Sequence, residues 1–257
     1  MRSGLLRTAC LTLLLAGCAE SSVKKSPAPR ASTPLVVQSP EDLFGKAVVL
    51  AHQHNNPEAR ALLLQLAAGM PPGWQPIDEG TSNVSIAYWD QPEFLECSQL
   101  DSQRYKKPVS WTAFSYTRVW YVLAFISIED KHAAEAEHAI DQALALEPDR
   151  ALLLNEKATI LQQSPARMSE GLAYNHKAID SQRCVSAAAR KSDLSRAWRS
   201  LGVSLIDLGR FDEADSALSE SLKVDPGNRT TMNELVYLEK MRGNKPQHTP
   251  IEIKRVQ

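Results

Sequence analysis

The chain has 257 residues, 43% hydrophobic and 23% charged, with 29 basic and 30 acidic side chains. That length holds one or two domains with a buried core. A net charge of −1 excludes an unaided nucleic-acid binder, which needs a strongly basic face. Gly at 11 and Pro at 15 exclude a collagen-like or linker-like composition, and aromatics at 6% beside an Ala- and Leu-rich second half favour helices over a β-sandwich.

The first segment has Arg2 and Arg7 ahead of a short apolar run, Leu11 to Ala16. The run is too short to span a bilayer of roughly 30 Å, and small residues follow it, as at a signal-peptide cleavage site. Leu15-Ala16-Gly17-Cys18 resembles the bacterial lipobox. The resemblance implies a signal peptide over 1–17, cut to leave Cys18 as the lipidated first residue. Several acyl chains together anchor stably where one binds marginally. Ala19, where retained lipoproteins carry Asp, implies by the same resemblance an outer-membrane anchor with the folded part in the periplasm. Residues 18–40 are rich in Ser, Pro, Ala and Lys and read as a disordered tether.

Residues 41–70 read as a helical hairpin. Ser39-Pro40-Glu41-Asp42 supplies a cap, a Pro at the first helical position and acids in the first turn. Asn55-Asn56-Pro57 separates two apolar stripes, and Gly69 stops the second. Residues 71–109 give no clear period and are expected to be irregular, with a short helix over 91–101 after Asp90 and a strand or extended arm at Ile86 to Trp89. Such a segment suits a cover over one end of a helical stack.

Four cysteines are present. Cys10 leaves with the signal and Cys18 takes the lipid. The remaining pair, Cys97 and Cys184, suits a disulfide in an oxidising compartment, worth roughly 2–4 kcal/mol, or two separate buried thiols. Two distant Cys without a CxxC make a poor zinc site, so no metal is expected.

From Ser110 onward helices follow one another, with breaks near Asp130, Pro148, Pro165, Arg183, Gly209, Pro226 and Gly243. In 195–228, Trp198, Leu201, Gly202, Leu205, Ala214, Leu218, Ser221 and Pro226 hold the spacings of the tetratricopeptide pattern. The segment resembles a tetratricopeptide repeat (TPR). Gly202 and Ala214 are small where two helices cross, and Pro226 follows the second helix. A second copy at 117–150 places Trp120, Ala136 and Pro148 alike. A third at 151–184 matches through Gly171, Tyr174 and Ala178, with an insertion at 184–192 after it. Met232, Leu235 and Val236 begin a capping helix, so 110–243 forms the repeat region and 244–257 a tail. The expected fold is all-α, a TPR-like helical-hairpin solenoid preceded by the hairpin and the irregular segment.

The resemblance implies a concave groove, lined by first helices, that takes a peptide or protein surface. On this chain the groove face holds Arg118, Tyr121, Phe125, Arg196, Arg199, Val203, Asn233 and Tyr237. Arg beside aromatic and aliphatic neighbours suits a partner carrying a carboxylate and an apolar anchor. The bland reading pairs these arginines with Glu156 and other local acids. The family's carboxylate clamp, which needs Lys and Asn at set positions, is not matched. No GxSxG, HExxH, P-loop or GxGxxG is present, and His132 and His138 lie too far round a helix to chelate together. The expectation is a non-enzymatic envelope lipoprotein without cofactor that holds another envelope protein, similar in layout to TPR lipoproteins that serve as pilotins or cell-wall adaptors. The alternative is an enzyme or carbohydrate binder whose site lies among Trp74, Tyr88, Trp89, Trp111 and Tyr116.

Overall fold

The structure, a computed structural model, describes residues 38–243. The expected signal peptide, Cys18, nearly all of the tether and the tail at 244–257 lie outside the described residues.

Helix α1 (Pro40–His52) starts on Ser39, whose hydroxyl accepts from the Asp42 N–H while the Asp42 carboxylate accepts from the Ser39 N–H. Helix α2 (Asn56–Ala68) returns against α1. The repeat region follows as α4 (Tyr116–Glu129), α5 (Ala133–Leu146), α6 (Ala151–Gln162), α7 (Met168–Ile179), α8 (Ala187–Asp207) and α9 (Phe211–Val224), closed by α10 (Arg229–Met241). Consecutive helices pair as antiparallel hairpins, α4 with α5, α6 with α7 and α8 with α9, and α2 packs on α4, so the N-terminal hairpin is the first layer of the same stack.

One apolar core runs from Phe44 and Leu63 through Val119, Ile126 and Ile140 to Leu153, and a second from Trp198 and Leu201 through Leu218 to Leu235 and Leu238. A methyl group on Gly202 would lie 2.7 Å from Leu218 Cγ and 3.3 Å from the Ala214 carbonyl, so the crossing of α8 and α9 requires glycine there. Charge also ties the layers. Arg60 on α2 pairs with Asp130 at 2.7 Å and with Glu135, while the buried Lys157 on α6 reaches Glu137 at 2.8 Å and Asp141 at 2.6 Å on α5.

Residues 71–109 are more ordered than their sequence suggested. Strands β1 (Ile77–Glu79), β2 (Val84–Ile86) and β3 (Val109–Trp111) form a sheet in the order β1-β2-β3, and α3 (Gln91–Tyr105) connects β2 to its parallel neighbour β3. Strands of three residues carry no periodic signal, which is why the sheet was hidden. The helix also runs four residues past the expected end. The insert has its own core of Val84, Ile86, Tyr88 and Cys97, and Cys97 is bonded to Cys184. It does not cover an end of the stack; it docks on the side, at the corner between α5 and α6 and at the start of α8. Of the insertion expected at 184–192, only the part before Ala187 is non-helical. The rest extends the amino end of α8, capped by Ser186 and by the Glu96 carboxylate, which accepts from the Ala187 N–H at 2.7 Å.

Candidate partner-binding groove

The first helices α4 and α8 and the closing α10 carry the expected groove residues, with α6 between them. The α4 part of this face is covered by the chain itself. Trp89, just before α3, packs on Tyr121 with ring centroids 5.3 Å apart, and Arg118 lies 4.9 Å from the Phe44 ring centre. Burial, with Glu156 in electrostatic reach, raises the Tyr121 phenol to about 12, and burial lowers the Arg118 pKa. Phe125 remains exposed.

Trp89 is held by a buried ionic cluster. Its indole N–H donates to Glu147 at 3.0 Å, and the Arg150 guanidinium sits 4.3 Å over its ring. Arg150 also donates to Glu93 at 2.7 Å and Glu147 at 2.5 Å, and Arg183 reaches Glu147 at 2.9 Å. Glu93, Glu147 and Arg150 are all buried. Burial alone would raise the Glu147 carboxyl, yet Arg150 and Arg183 hold it below its ordinary range. Sequence spacing does not reveal this cluster, because its members come from α3, the α5–α6 corner and the segment before α8.

In the middle of the groove, Arg196 on α8 bonds Glu156 on α6 at 2.8 Å, the local pairing weighed against partner binding. Asp193, one turn earlier, is 8% exposed, and burial pushes its carboxyl up to about 6 against the pull of Arg150 and Arg196. The folded state therefore binds this proton more tightly than the unfolded chain, whose value is near 3.8. The stability contributed by the neutral acid is complete below pH about 4 and is lost as pH rises through about 6. Asp193→Asn is expected to stabilise the chain by about 3 kcal/mol at pH 7.5 and to change little at pH 4, as read by denaturant melts at both pH values. Equal effects at both would show that ionisation of Asp193 costs nothing.

The α8–α10 part is open. Arg199 is half-buried and makes no hydrogen bond or ion pair among the described residues; burial and the neighbouring Arg196 lower its pKa. It lines a recess of about 240 Å³ with Arg196, Ser192 and Asn228. Val203 lies one turn on, partly buried, and Asn233, Val236 and Tyr237 on α10 are exposed.

The repeat-defining residues sit where the pattern puts them. Ala136 and Ala214 are fully buried, Trp198 packs on the second core, and Pro148 and Pro226 each follow a helix end. Trp120 stands edge-on to His138, with its N–H unpartnered among the described residues. The aromatics of 74–116 are engaged in packing. Trp74 meets Tyr116 at 5.1 Å, and Trp111 stacks on Phe94 while its N–H donates to the Tyr88 carbonyl at 2.9 Å.

Residues 195–228 match the family model of the tetratricopeptide repeat. The fold is similar to the crystal structure of PilW, described as a widely conserved type IV pilus biogenesis factor, at 18% identity and a TM-score of 0.55, covering 79% of this chain and 70% of that one. It is similar also to a tetratricopeptide repeat protein from Parabacteroides merdae ATCC 43184, at 14% identity and a TM-score of 0.52, over 79% of this chain and 60% of that one. A double mutant of MamA RS-1 aligns at 12% identity and a TM-score of 0.50, over 81% and 88% of the two chains. No curated protein matches the sequence. At these identities the likeness is one of fold.

Proposed function

On this tetratricopeptide-repeat solenoid, we propose that the chain is a lipid-anchored envelope protein that acts by binding, holding a segment of a partner protein in the α8–α10 half of its groove. Arg199 carries the reading: a half-buried guanidinium with no counter-charge bonded to it among the described residues, flanked by Arg196 and followed along the helix by Val203. It fits a partner carboxylate, with an apolar anchor against Val203 and Tyr237. The α4 half serves a different purpose in this reading, because Trp89 already fills it. The Leu15 to Cys18 motif supports export and lipidation, and the Cys97–Cys184 bond suits the oxidising periplasm. No helix among the described residues is long and apolar enough to cross a membrane, so attachment in this reading rests on Cys18. The likeness to PilW makes the type IV pilus machinery the first place to look for the partner.

A photo-crosslinker at Tyr237 in intact cells tests the groove, with Tyr121, under Trp89, as the covered control. The expected result is one dominant envelope protein captured from position 237, lost with Arg199→Glu and absent from position 121. Capture that is indifferent to Arg199→Glu would reject the groove. Cys18→Ala is expected to move the protein from the outer-membrane to the soluble fraction.

A further inference from the structure

A second concavity lies away from the groove, on the seam between the insert and the stack. It is a cleft of about 740 Å³, within the range of about 300–1,000 Å³ that small-molecule sites occupy, and such sites favour the joints between folded units. One wall comes from the sheet and α3, the other from α6, α7 and the segment that carries Cys184. Ile77 and the exposed Leu100 give it apolar surface, with the buried Ile86 and Leu154 behind them.

Charge in the cleft is unevenly satisfied. Asp101 accepts from the Tyr88 hydroxyl at 2.7 Å, Asp149 bonds Arg183 at 3.1 Å, and Glu93 bonds Arg150 at 2.7 Å. Glu93 and Asp149 are thus paired with cations, while Asp101 is bonded by a neutral hydroxyl, which does not offset its charge. Arg104 on α3 and Lys177 on α7, on opposite walls, form no hydrogen bond or ion pair among the described residues. Each rests only near an aromatic ring, Tyr105 at 5.7 Å and Tyr174 at 4.7 Å. Against these two cations stand two carboxylates with no cation bonded to them among the described residues, Asp101 on α3 and Asp180 after α7.

We propose that this cleft is a binding site for a small amphipathic anion, its apolar body over Ile77 and Leu100 and its acid group between Arg104 and Lys177. The disulfide and the Arg150 cluster hold the two walls at a fixed separation, so the site is formed before the ligand arrives. It is independent of the groove and of any partner protein there.

The full chain carrying Cys18→Ser is titrated with 8-anilinonaphthalene-1-sulfonate, an apolar anion whose fluorescence rises on binding. One saturable site per chain is expected. Arg104→Glu with Lys177→Glu should weaken it at least tenfold, while Arg199→Glu leaves it unchanged. Decanoate should displace the probe and decanol at the same concentration should not. Both substituted cations are exposed, and an unchanged helical circular dichroism and melting temperature establish that the fold survives the exchange. Absence of a saturable site, binding indifferent to the double exchange, loss with Arg199→Glu, or equal displacement by decanol would each overturn the proposal.

Discussion

Replacing Arg150 by Met is expected to lower the stability of the chain by about 3–5 kcal/mol, the usual cost of removing one partner from a buried ion pair. The side chain is 4% exposed and bonds two carboxylates, Glu93 and Glu147, that are themselves 3% and 0% exposed. Methionine fills much of the volume and keeps contact with the Trp89 ring, so the loss is electrostatic rather than a cavity. Arg183 still reaches Glu147, but Glu93 has no second cation bonded to it among the described residues. Combining Arg150→Met with Glu93→Gln and Glu147→Gln should recover most of the loss, because no buried carboxylate is then left without a cation and Arg183 keeps Asp149 as its partner. Denaturant melts of the single and triple variants read this directly. A single variant within 1 kcal/mol of the parent, or a triple variant less stable than the single, would show that Arg150 acts by packing.

Replacing Cys97 and Cys184 by Ser is expected to cost about 2–4 kcal/mol, the range for a cross-link that closes a long loop. The two residues are 87 apart in sequence, and Cys97 is fully buried in the core of the insert. Dithiothreitol should destabilise the parent by a similar free energy, seen as a lower melting temperature, and leave the double variant unchanged. The variant should also loosen the amino end of α8, where Glu96 accepts from the Ala187 N–H, since the bond fixes α3 beside that helix. An effect below about 0.5 kcal/mol would mean that the ionic cluster alone fixes the insert.

The repeats were legible because their constraints are local and periodic. Trp198, Gly202, Ala214 and Pro226 each answer to a neighbour within one hairpin, and 195–228 is the segment the family model matches. Breaks at Pro148, Gly209 and Pro226 were legible for the same reason; Gly209 takes a positive φ of 71° that few other residues adopt. The insert was not, since its strands are too short for alternation to appear and β2 meets β3 only through a helix of 15 residues. The groove was legible as a face but not in its state. Arg118, Tyr121 and Arg196 lie on first helices, yet what covers or pairs them, Trp89 and Glu156, comes from elsewhere in the chain. The unpaired state of Arg199 depends on where every nearby acid goes, which spacing along one helix does not encode.

A stack of hairpins normally passes stability only from each layer to the next, and such arrays open in stages. Here the Cys97–Cys184 bond and the Arg150 cluster join the insert to the α5–α6 corner and to the start of α8, crossing three layers at once. Opening α6 and α7 alone would have to break connections that belong to their neighbours. Amide hydrogens from α5 to the first half of α8 should therefore exchange with deuterium as one slow class, while α10, which is packed from one side, exchanges through its own local opening. The insert thereby joins the middle of a row of semi-independent modules, from α5 to the start of α8, into one cooperative block.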